Sequence, residues 1–142
     1  MQPDDLRLKD TQDWLARSDE DLRNAEHDLT AVPPFIRDAL FHTQQAVEKA
    51  CKGFLAWHDQ PFPKIHNLEE LGSLCAAVEQ GLAGLAAQAA PLNKYAVRFH
   101  YPGEPYSPNV EEAREALALA GRILADILAR LPGEVQPPRK RG

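Results

Sequence analysis

The residues of this chain best suited to chemistry lie in the stretch Tyr95-Ala-Val-Arg98-Phe-His100-Tyr101-Pro102. Arg98 carries a planar guanidinium that can hold a phosphate through two parallel hydrogen bonds. His100 titrates near neutrality and could move a proton as acid or base. The neighbouring aromatics, Tyr101 among them, offer ring faces on which a base could stack. A second group lies in His42-Thr-Gln-Gln-Ala-Val-Glu-Lys-Ala-Cys-Lys52. Lys49 and Lys52 bear ammonium groups, which suit phosphate as point charges. Glu48 precedes Lys52 by four residues, the spacing that brings two side chains together on a helix, and could hold a lysine in place. Gln44 and Gln45 could read a base edge. His66 stands just before Asn67, a good helix cap, where free first-turn amides favour anions.

Each of these residues also has a plain structural reading. Glu48 and Lys52 could form a solvated ion pair worth about 0.3–0.5 kcal/mol. His66 could fix its connector by local hydrogen bonds. The Arg-aromatic-x-Tyr-Pro stretch could lock a corner of the fold. Trp14 and Trp57 read as core or dimer-interface anchors, and Arg139-Lys-Arg141 as a solvated end.

The elements that must position these residues are helical. Trp14, Leu15, Leu22, Ala25 and Leu29 recur at helical spacing, which predicts a first helix over 10–29. Asp10 or Thr11 would cap it. Val32-Pro-Pro34 stops it, because proline cannot donate a backbone bond and restricts the residue before it. A second helix is predicted over 34–58, with a broad apolar face that includes Leu40, Val47, Phe54 and Trp57. That breadth suits a central helix with more than one neighbour. A third helix starts near Asn67, with Glu69 and Glu70 favoured by the helix dipole. A fourth stretch, about 85–97, is broken or kinked by Pro91. Residues 100–108 hold three prolines and Gly103 and cannot be regular helix. Asn109 caps a final helix that runs to Leu131 and ends at Pro132-Gly133.

No segment alternates as a strand does. The expected fold is all-α, an up-and-down antiparallel bundle of four to five helices with mostly short loops. Residues 1–9 read as a polar extension, 10–131 as the bundle, and 132–142 as a disordered basic tail. The chain has 142 residues, which by size is one domain. Its net charge of −5 argues against nucleic-acid binding by bulk electrostatics, which needs a positive field. Cys51 and Cys75 sit in apolar helical surroundings and read as small buried hydrophobes in a reduced compartment. The polar, acidic N-terminus does not read as a secretory signal. No apolar run approaches the roughly 20 residues of a membrane span. A cytoplasmic protein is expected.

The ordered set of Gln44-Gln45-x-x-Glu48-Lys49, then His66-Asn-Leu, then Arg98-x-x-Tyr101-Pro102 resembles the HEPN domain. This is the helical nucleotide-binding domain shared by prokaryotes and higher eukaryotes. The resemblance covers about Asp13 to Leu131. It implies a helical bundle, similar to the substrate-binding subunit of nucleotidyltransferases, that commonly forms a homodimer. It further implies a minimal nucleotidyltransferase as partner, in some pairs as a toxin–antitoxin system. Carried over to this chain, the nucleotide- or phosphate-facing residues are Lys49, Lys52, His66, Arg98 and Tyr101, supported by Gln45 and Glu48. The ligand suggested is an ATP-like nucleotide, with no bound cofactor and no metal.

Some members of that family are metal-independent ribonucleases with an Arg and a His separated by four to six residues. Here one residue separates Arg98 from His100. Arg37 and His42 match the spacing but stand early, whereas the motif of the toxin members sits near the position of the Arg98 stretch. The first reading is therefore a binding and regulatory module. The second is a ribonuclease with a non-standard site, Arg98 stabilising charge and His100 acting as acid or base on RNA. The third is a purely structural helical dimer. Other enzyme classes find no motif: there is no phosphate-cradling glycine loop and no His-Glu-x-x-His. Gly72-Ser73 lacks the Asp-x-Asp that a nucleotidyltransferase would need.

Overall fold

Helix α2 (Ile36–Trp57) is the hub of the structure. Its Leu40, Val47, Cys51, Phe54 and Leu55 are all excluded from solvent, as are Ala39, Ala46 and Ala50. These side chains point in several directions around the helix, so no single neighbour can cover them. The computed structural model, which describes residues 3–62, 64–97, 103 and 107–138, supplies the neighbours. They are α1 (Pro3–Asp28), α3 (Leu68–Val78) and α5 (Val110–Leu128), with a 3-10 segment at Ala90–Ala96. Between α3 and that segment come a 3-10 turn, Gln80–Leu82, and the short α4 (Leu85–Ala89). The described residues contain no strand.

α1 and α2 run antiparallel. Leu15 abuts Gly53, the Ser18 hydroxyl donates to the Ala46 carbonyl at 2.6 Å, and Asp21 meets His42. The numbers rise along one helix as they fall along the other. Gly53 permits the close approach, because a Cβ there would lie 2.9 Å from Leu15 Cδ2. α3 is capped by Asn67, whose side chain accepts from the Glu70 amide, and α5 by Asn109, which accepts from the Glu112 amide. Both caps satisfy a first-turn donor that has no partner inside its helix. Both helices also carry two glutamates in the first turn, where the dipole favours them.

Two boundaries, the start of the first helix and the start of the tail, differ from the sequence reading. α1 begins at Pro3, so residues 4–9 belong to the bundle instead of extending from it. Proline suits a first helical turn, and Asp4 and Asp5 follow it. Leu8 packs on the core, and the Arg7 guanidinium lies 4.6 Å from the Trp57 ring. Thr11 is therefore no cap: its hydroxyl donates to the Arg7 carbonyl one turn back, as inside a helix. The predicted fourth stretch is broken at Pro91, as expected, into α4 and the 3-10 segment, at the point where Pro91 lacks an N–H.

Beyond Pro132 the chain still packs. Gly133–Val135 forms a 3-10 turn, and Val135 is 1% exposed. The Gln136 amide donates to the carbonyls of Leu128 and Leu131. A tail that begins at 132 thus starts too early, because Val135 finds an apolar seat. The basic residues 139–142 lie outside the described residues. No described helix is long and apolar enough to cross a membrane.

Candidate functional site

Glu48 organises the polar side of α2. It is only 5% exposed, as is Lys52. Its Oε2 accepts from Lys52 Nζ at 3.1 Å and from His66 Nδ1 at 3.1 Å. A carboxylate can only accept, so Nδ1 carries the imidazole proton in this contact. Gln44 Nε2 approaches Oε1 at 3.4 Å, and Gln45 Nε2 donates to Gln44 Oε1 at 2.6 Å. One chain of hydrogen bonds thus links Gln45 to His66. The Lys52 ammonium also lies 5.6 Å from the Trp14 ring centroid, within cation–π range, and Phe62 meets Trp14 edge-on.

The expected solvated Glu48–Lys52 pair is therefore a buried one. The difference matters energetically. An exposed pair contributes a fraction of a kcal/mol, whereas a buried charge that loses its partner is strongly destabilising. The helix supplies the four-residue spacing. Part of the cover comes from α1, whose Trp14 ring lies beside the Lys52 ammonium and is itself met by Phe62 of the connector.

A second cluster joins α1 to α2. Asp21 holds His42 Nδ1 at 2.8 Å through one oxygen and Lys49 Nζ at 2.5 Å through the other. The sequence reading missed Asp21. A signal was present: Asp21 follows Ser18 by three residues and precedes Ala25 by four, which places it on the buried stripe of α1. An acid on such a stripe needs a cation.

A third contact closes the far side. The Tyr95 hydroxyl donates to Glu112 Oε2, and Asn93 Oδ1 accepts from the Leu68 amide at 2.8 Å. The 3-10 segment Ala90–Ala96 is thereby tied to the start of α5 and to the start of α3, two residues beyond His66. Neither Asn93 nor Glu112 was singled out in the sequence, because each partner lies seventeen or more positions away.

The structure thus brings Glu48, Lys52, His66, Gln44 and Gln45 together and places Lys49 on an adjoining cluster with Asp21. His66 has a side chain 70% exposed, while Lys52 is held behind it. Arg98, His100 and Tyr101 lie outside the described residues. Val97, the last described residue before them, is exposed and follows directly on the 3-10 segment.

Three groups among the described residues have shifted proton affinities, one of them the His58 imidazole, which burial pushes down. The Cys51 thiol is pushed well up, first by its hydrogen bond with the Cys75 thiol, then by burial. Both cysteines are free and buried, and a thiol so protonated is a poor nucleophile. The Tyr95 phenol is also pushed up, first by burial, then by donation to Glu112 and by the negative charge of Glu112 and Glu115. A phenol whose folded pKa exceeds its unfolded value, about 10, contributes stability that is complete below that pH. The contribution is lost as pH rises from about 10 through the folded value. Urea melts from pH 8 to 11 should therefore show a loss of stability at the alkaline end that is smaller in Tyr95→Phe. Equal losses in both proteins would remove Tyr95 as the cause.

An all-α bundle with a buried polar spine on its central helix defines the class of this protein: a helical domain built to hold charge beneath one face. The family model of the HEPN domain matches residues 11–131, and the chain belongs to the HEPN family. No curated protein and no solved structure matches the chain. Among the described residues, no group of three or more His, Cys, Asp or Glu could hold a metal ion.

Proposed function

We propose that this HEPN domain is a nucleotide-binding and regulatory module that acts with a separate nucleotidyltransferase, as the toxin half of a toxin–antitoxin pair. The observation that carries this reading is the His66–Glu48 contact. It places a solvent-facing imidazole against a buried carboxylate and beside the segment that leads to Arg98. The carboxylate fixes the ring through Nδ1 and leaves the second nitrogen for a ligand. In this reading His66, Lys49, Arg98 and Tyr101 meet the nucleotide. Lys52, held by Glu48, adds positive charge from behind. The domain works as a homodimer.

The test is equilibrium binding of ATP to the wild-type protein and to Arg98→Ala. A charge-assisted hydrogen bond contributes about 1.5–3 kcal/mol, so affinity should fall roughly ten- to hundredfold. Circular dichroism should stay unchanged. Equal affinity with intact helicity would remove Arg98 from the site. Partnership is tested by recovering the tagged protein from its native cells, where a stoichiometric small nucleotidyltransferase is expected. If the protein comes down alone, RNA cleavage in chelator, abolished by His100→Ala, would replace this reading with the ribonuclease one.

A further inference from the structure

Cys51 and Cys75 are the only cysteines of the chain, and the fold brings them together from 24 positions apart. Cys51 lies on α2 and Cys75 near the end of α3, and both are excluded from solvent. The Cys75 thiol donates to the Cys51 carbonyl at 3.7 Å, and the Cys51 thiol is hydrogen-bonded to the Cys75 thiol. Two sulfurs already in contact across a helix interface need little backbone movement to bond. Neither cysteine takes part in the Glu48 or Asp21 cluster, yet Cys51 follows Glu48 by less than one turn of α2.

We propose that Cys51 and Cys75 are an oxidative modification site, at which hydrogen peroxide closes a disulfide that staples α3 to α2. One thiol sulfur attacks the peroxide. An S–O bond forms as the O–O bond breaks, and the thiol proton leaves with hydroxide as water. The second sulfur attacks the sulfenic sulfur. The S–S bond forms, the S–O bond breaks, and the second thiol proton leaves with hydroxide as a second water. The thiols give up two electrons and two protons, and the peroxide takes them. At rest the site is quiet, because burial keeps the oxidant out and the contact between the thiols holds Cys51 protonated. α3 has 11 residues, the fewest of the three long helices packed on α2 and α2 itself, and its local opening is the step that admits peroxide. When it recloses, the second thiol meets the sulfenic acid before a second peroxide does. The staple encloses Lys52 and His66, the two partners of Glu48, so it ties off the loop that this carboxylate already gathers. The inference does not depend on the nucleotide-binding reading.

The test is hydrogen peroxide added to the reduced, folded full chain, quenched by unfolding in a maleimide and followed by mass spectrometry. The expected product is a single chain that has lost two hydrogens, takes up no maleimide and regains both thiols in dithiothreitol. Its tryptic map should join Ala50–Lys52 to the peptide that contains Cys75. Its urea midpoint should lie roughly 1–3 M above that of the reduced chain, the shift for a cross-link closing a loop of this length. Cys75→Ala should show no such product and no gain in midpoint after peroxide. If Cys75→Ala folds poorly, wild type oxidised after unfolding in urea serves instead. It must give less intramolecular disulfide and more sulfinic acid than the folded chain, because the contact between the thiols is gone. Two free thiols after prolonged exposure, sulfinic acids in place of the disulfide, or a disulfide between two chains overturns the proposal. So does a cross-linked chain no more stable than the reduced one, or an equal disulfide yield from folded and unfolded protein.

Discussion

Glu48→Ala should destabilise the domain by about 3–5 kcal/mol, the range for stripping one partner from a buried ion pair. Lys52 would stay where it is, 5% exposed and beside the Trp14 ring. Its ammonium would keep the cation–π contact, worth about 0.5–2 kcal/mol. That is too little to replace a carboxylate at 3.1 Å. His66 would lose its anchor at the same time, but its exposed ring can turn to water, so most of the cost belongs to Lys52. For a chain of this length the melting temperature should fall by about 10 °C or more.

Two further variants make the argument specific. Glu48→Gln still accepts from Lys52 and His66 and should cost clearly less. Glu48→Ala with Lys52→Met removes the stranded charge and should recover much of the loss, because buried ion pairs are often replaced by apolar groups at little cost. Urea denaturation of the four proteins measures all of this. A double variant no more stable than Glu48→Ala would show that lost packing, and not a stranded charge, dominates.

The second large effect is expected at Gly72, in the middle of α3. A Cβ there would lie 2.7 Å from Ala86 Cα and 2.8 Å from Ala86 N. Those are backbone atoms of α4 and cannot rotate aside as a side chain can. Gly72→Val should therefore push α3 and α4 apart and destabilise by about 3 kcal/mol, the upper part of the overpacking range. Helix propensity alone predicts a small change of opposite sign, since glycine is the poorest helix former after proline. Gly121 in α5 supplies the control, because a Cβ there meets nothing within 4 Å. Gly121→Ala should stabilise by about 0.5–1 kcal/mol. If Gly72→Val and Gly121→Ala shift the urea midpoint in the same direction, the close approach of α3 to α4 is not what requires glycine.

The two clusters on α2 suggest how the domain tolerates charge at its centre. Asp21 satisfies Lys49 and His42, and Glu48 satisfies Lys52 and His66. Each buried acid serves two cationic or titratable groups: Asp21, on α1, takes His42 and Lys49 from α2, and Glu48 takes Lys52 one turn away and His66 from the connector. Burial without such pairing would cost several kcal/mol per ion.

The sequence by itself determined the existence of the main helices, the caps of α3 and α5 and the central place of α2. Asn67 and Asn109 stand where their side chains reach a free amide three residues on, and the apolar spacing of 36–57 covers most of a cylinder. These properties depend on residues within a turn or two of each other, so they can be read along the chain. The extra turns of α1 were missed because residues 4–9 are mostly polar. Their helicity depends on Leu8 and Arg7 finding α2, which no local pattern records. The family, too, was legible, from the order of the glutamine, glutamate, histidine and arginine motifs.

Tertiary structure alone decided which of the candidate residues meet. A helix wheel puts Glu48 beside Lys52 but cannot tell whether water reaches them; packing by other segments, Trp14 of α1 among them, decides that. It cannot pair Asp21 with Lys49, His66 with Glu48, or Tyr95 with Glu112. Those contacts depend on how the helices cross, and the crossings are set by side-chain volumes summed over whole interfaces, with Gly53 and Gly72 marking the points of closest approach.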